Sequence, residues 1–149
     1  MEGKVDLHKK MHSWYDILSV ISAPILGFIF IVLPPYLIPG GIRAKSNAPL
    51  FPVIATAIEN LKYFPTIVSL LIAGCILGFL RPRIWWLLGL LIMSLFPVAA
   101  ILEMQVAPTS HNLWPIEFFF YGVFDIIAFV GAFIGSRIKN KIIRDRSTK

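Results

Sequence analysis

Glu117, Tyr121 and Asp125 are spaced by four residues. At 100° per residue they form one ascending stripe on an α-helix, drifting about 40° per step. Asp125 then sits about 12 Å along the axis from Glu117, at 1.5 Å per residue, well inside an apolar run. An ionisable side chain there costs roughly 2.5–3.5 kcal/mol and is met by a partner or a watery cavity. Glu103 closes the preceding apolar run, and His111 lies in the polar turn between the two runs. Glu103, His111, Glu117, Tyr121 and Asp125 are therefore the candidate polar site, able to bind a cation or a lipid headgroup, or to pass protons. Each residue also has a structural reading. Glu117 suits the first turn of a helix, where unpaired N–H groups favour a carboxylate. Glu103 suits an interfacial position in water and His111 a turn, while Asp125 can hydrogen-bond Ser94 or a tyrosine of a neighbouring helix.

Stronger chemistry finds no motif. His111 with two glutamates is adequate in composition for zinc, yet no H-E-x-x-H spacing backs it, and the metal is left unassigned. Ser110 or Thr109 could serve as a nucleophile, but adjacency to His111 in sequence does not aim the side chains at one another. No catalytic set and no cofactor is assigned. The lone Cys75 excludes an intrachain disulfide and paired-cysteine metal clusters, and it reads as a small buried hydrophobe.

The elements that must position these residues are set by hydropathy. The chain has 149 residues, 57% of them hydrophobic and 15% charged, with mean hydropathy +0.77, against about one quarter charged in soluble domains. Apolar runs of about 17 to 23 residues match a hydrocarbon core of about 30 Å. The expected fold is an all-α integral membrane protein of four transmembrane helices, over about 17–38, 65–80, 84–102 and 116–138, forming a single domain with a basic cytoplasmic tail at 139–149.

Trp14 and Tyr15 look like an interfacial anchor before the first span, which is too long for a signal peptide and ends in LPPYLIPGG. Pro24 predicts a mild kink there, and Pro34, Pro35 and Pro39 a stop. Between spans one and two, Phe51, Ile54, Ile58 and Leu61 recur at helical spacing, with Glu59, Asn60 and Lys62 on other faces. That pattern predicts a short amphipathic helix at the membrane surface. Pro97 predicts a bend in the third span, with the freed carbonyl met by a neighbour.

Gly74 with Gly78, and Gly131 with Gly135, are G-x-x-x-G pairs that let helices approach closely. The spans that hold them share a faint repeat: each starts near a proline after Asn-Leu and ends in its glycines followed by arginine.

Of the 14 Lys and Arg residues, a cytoplasmic N-terminus puts eleven inside (Lys4, Lys9, Lys10, Arg81, Arg83, Arg137, Lys139, Lys141, Arg144, Arg146 and Lys149). Three remain outside, Arg43, Lys45 and Lys62. Both termini are thus expected in the cytoplasm, and a bacterial plasma membrane is the expected location. The net charge of +6 is explained at the span ends, with anionic lipids as counter-charge for the tail and no role in nucleic-acid binding.

The first functional reading is a non-enzymatic accessory, assembly or interaction subunit that uses its glycine faces to pack against itself or a larger membrane partner. Alternatives are a transporter or channel subunit using Asp125, and an enzyme acting on a lipid headgroup at the outer interface.

Overall fold

A backbone in hydrocarbon must satisfy its own N–H and C=O groups, and helices do so within one segment. The structure, a computed structural model, describes residues 2–41, 52–106 and 114–147. It orders them as α1 (Glu2–Leu37), α2 (Pro52–Glu59), α3 (Phe64–Leu80), α4 (Trp85–Leu91), α5 (Leu95–Val106) and α6 (Trp114–Ser147). Among the described residues there is no strand. Among the described residues, three stretches are long and apolar enough to cross a membrane: Trp14–Leu37, Trp85–Val106 and Pro115–Ser147. The apolar α3 has 17 residues, about 25 Å at 1.5 Å each, a little under the core thickness.

Helix boundaries differ from the hydropathy reading where charge alone ends a span. The polar leader is not a separate segment, because α1 begins at Glu2. The basic tail likewise continues α6 as far as Ser147. Lys and Arg are good helix formers, so a charge run leaves the hydrocarbon without leaving the helix. Glu103, expected just past the third span, lies within α5.

Prolines decide the irregularities. Pro34 lies inside α1 and cannot donate to the carbonyl of Phe30, four residues earlier. The hydroxyl of Ser69 on α3 donates to that carbonyl instead, tying α1 to α3. Pro97 breaks the third span rather than bending it. Its ring clashes with the carbonyl four residues before it, that of Met93, and the chain makes a turn at residues 92–94 between α4 and α5. The freed Met93 carbonyl accepts from the Phe96 amide at 3.1 Å, three residues on, so the bond stays within the segment instead of passing to a neighbour.

The helices alternate in direction. Asp16 on α1 pairs with Arg81 after α3 at 3.7 Å, and the Tyr63 hydroxyl just before α3 donates to the Pro39 carbonyl beyond α1 at 2.8 Å, so these two helices are antiparallel. Lys139 on α6 donates to the Leu80 carbonyl at 3.1 Å, which sets α6 parallel to α3. Trp85 stacks on Phe129 and Phe133, with centroids at 5.0 and 5.3 Å, while Phe96 meets Tyr121 at 6.1 Å, so α4 and α5 run opposite to α6. Ile31, Leu70, Leu88, Ile92 and Phe96 fill the centre.

The outside is as apolar as the inside. Ile17, Ile21, Ile25, Ile29 and Leu33 line the exposed face of α1, and Phe119, Val123, Ile126 and Val130 that of α6. A surface of this kind is stable against acyl chains and not against water.

In α2 the buried face is formed by Thr56 and Ala57, continued by Asn60 and Leu61. Ile58 is half-buried, and the side chains of Phe51 and Ile54 lie outside the described residues. The Asn60 amide donates to the Thr56 carbonyl at 2.8 Å, which lets a polar residue end this helix inside the protein.

Candidate functional site

Asp125 projects from α6 at the level of the α4–α5 break. A helix start has backbone N–H groups with no carbonyl to meet, and the break creates such a start within the bundle. The backbone amide of Met93, in the turn, lies near the Asp125 carboxylate. Ser94 is not its partner, since that hydroxyl donates to the Leu91 carbonyl at 2.7 Å. The Oδ1 atom of Asp125 is buried with no hydrogen-bond partner.

One turn toward the start of α6, Tyr121 is buried at 4% exposure. Its ring lies between Phe96 and Phe118, centroids 6.1 and 6.0 Å away, and its hydroxyl has no partner. Glu117 on α6 and Glu103 on α5 are both near enough to act on that hydroxyl electrostatically. Glu103 is buried and Glu117 half-buried. The stripe of α6 and the end of α5 therefore bring Glu103, Glu117 and Tyr121 into one neighbourhood, with Asp125 a turn further in. His111 lies outside the described residues. Among those described, no group of three or more His, Cys, Asp or Glu side chains is arranged to hold a metal ion.

The glycine pairs meet each other. A Cβ added to Gly74 would overlap the Ala128 carbonyl, and one on Gly78 the Ala132 carbonyl, while Gly131 sits against the Leu71 carbonyl and Gly135 against that of Cys75. Each glycine faces the carbonyl three residues before an opposing glycine, so the contact is reciprocal. Cys75 is half-buried at this seam. The parallel crossing of α3 and α6 is held by backbone approach, as small-residue pairs allow. No protein family, curated protein or solved structure matches the chain.

At the end of the bundle remote from Arg81 and Lys139, a cavity of about 320 Å³ lies between the end of α2 and the first turns of α6. Ile58, Leu61, Phe120 and Phe124 supply its apolar wall, with Glu59, Lys62, Glu117 and Tyr121 around them. Two parts of this arrangement escape a reading of the sequence. Glu59 at the end of α2 and Lys62 in the turn after it fall off the apolar stripe, and only the folding of this segment against the bundle puts them at the same cavity as Glu117. Met93 carries no side-chain signal, because its contribution is a backbone amide. Gly27 belongs to no spacing motif either, yet its added Cβ would overlap the Ile92 carbonyl, so α1 packs directly against the break.

Proposed function

We propose that the chain is a four-span membrane protein with both termini in the cytoplasm, acting as a non-enzymatic accessory, assembly or interaction subunit of a bacterial plasma membrane. The antiparallel order of α1 and α3, and of α4–α5 and α6, supports four crossings, with α3 accommodated by local thinning of the bilayer. The cation-bearing ends of α3 and α6 lie together, which supports the cytoplasmic assignment.

The observation that carries the accessory role is the place of Asp125 beside the α4–α5 break, near the Met93 backbone amide. A carboxylate there has a structural task, as an acceptor for backbone amides that an apolar interior would otherwise leave unmet. Both glycine pairs are occupied within the chain, so a partner would contact the apolar outer faces of α1 or α6. A second reading, passage of protons or cations at Asp125, is favoured by its buried and unpartnered Oδ1.

Purification from native membranes in a mild detergent, followed by mass measurement of the intact particle, tests the proposal. The expected particle exceeds the 16.8 kDa chain by a protein partner or further copies. A single chain carrying only lipid would overturn it.

A further inference from the structure

The cavity between α2 and α6 brings together features not accounted for by packing. Its volume of about 320 Å³ falls at the lower end of the roughly 300–1,000 Å³ typical of small-ligand sites. Lys62 offers one cation, and Glu59 and Glu117 two anions, at the rim of an apolar wall. Tyr121, part of the same wall, is 4% exposed and its hydroxyl has no partner. A buried donor without an acceptor is uncommon, and a bound ligand is one way such a group is satisfied.

We propose that this cavity holds the headgroup and upper chain of a phospholipid carrying a primary ammonium and a phosphate. The inference rests on the membrane placement of the chain and not on its accessory role. Charge selects the headgroup. A phosphate meets the Lys62 ammonium, while a primary ammonium donates to Glu59 and Glu117, and hydrogen bonds between charged partners are the strong ones. An anionic headgroup without an amine has no N–H to donate to Glu59 and Glu117. A trimethylammonium group has no N–H to donate. Tyr121 follows Glu117 by one helical turn, its Cα about 6 Å further along α6 at 1.5 Å per residue, and its hydroxyl is offered to the phosphate and ester oxygens. Phe120, Phe124, Ile58 and Leu61 then cover the first methylenes of the chain.

The test uses the purified full chain in detergent, with phosphatidylethanolamine, phosphatidylglycerol and phosphatidylcholine of identical acyl chains added, and bound lipid counted by native mass spectrometry. Phosphatidylethanolamine should half-saturate one site at about tenfold lower concentration than either other lipid, and millimolar free phosphoethanolamine should not displace it. Tyr121→Phe keeps the ring and removes the hydroxyl, and Lys62→Gln changes an exposed side chain. Each should weaken phosphatidylethanolamine binding about tenfold, the scale of one charge-assisted hydrogen bond, without lowering thermal stability. Lys141→Gln in the basic end of α6 should leave that affinity unchanged. Equal binding of the three lipids, unaltered affinity in both cavity variants, or displacement by free phosphoethanolamine would overturn the proposal.

Discussion

Alanine at Gly78 would place a methyl group on the backbone carbonyl of Ala132, and alanine at Gly135 would do the same at the Cys75 carbonyl. Neither obstacle is a side chain that can rotate away, so α3 and α6 must separate. Overpacking of this kind costs about 1–3 kcal/mol, a fall of roughly 5- to 140-fold in the folding equilibrium at 1.4 kcal/mol per tenfold. The two sites belong to one seam, so the double variant should cost less than the sum of the singles, since the first methyl already opens the gap the second needs. Gly122→Ala is the internal control. Gly122 is exposed on α6 with nothing within 4 Å of an added Cβ, and alanine favours helix over glycine by up to about 1 kcal/mol. Unfolding in mixed micelles can be followed by tryptophan fluorescence, because Trp85 stacks on Phe129 and Phe133 of α6. Equal stabilities for Gly78→Ala and Gly122→Ala would refute a close backbone seam between α3 and α6.

Asp125→Leu should destabilise by about 1–3 kcal/mol, the cost of a buried polar group left unmet, because the backbone of the break, at the Met93 amide, loses a nearby acceptor; unchanged unfolding in the same micelle assay would remove Asp125 as a support of the break. Ser69→Ala should lower stability by only about 0.6 kcal/mol, the average for an interhelical hydrogen bond in membranes, and a loss of several kcal/mol would mean that Ser69 does more than replace the donor missing at Pro34. In a Cys75→Ala background, Lys141→Cys should react with a membrane-impermeant thiol reagent only after cells are opened, and labelling of intact cells would invert the topology.

The stripe Glu117–Tyr121–Asp125 was legible as one face of a helix because four-residue spacing has one geometric meaning there, and all three residues lie on α6. The glycine motifs were legible as contact surfaces for the same reason, though spacing alone could not say that one pair would face the other. The break at residues 92–94 was only half legible. Pro97 announces a disturbance, and its ring acts only on the turn before it. Whether the helix bends or parts depends also on what packs against it, and the polar group beside the break, Asp125, comes from a different helix. The cavity was not legible, since Glu59 and Lys62 read as a solvated face until α2 folds against the start of α6.

Ion flux into proteoliposomes containing the purified chain decides most directly between a structural and a conducting Asp125. With a pH-sensitive dye inside and an imposed potential, wild type and Asp125→Asn should both match the leak of protein-free vesicles, because the proposed task of the carboxylate is to support the α4–α5 break, near the Met93 amide. A protein-dependent proton or cation flux that Asp125→Asn abolishes, while leaving the folded chain intact, would contradict the accessory role and establish passage through this site.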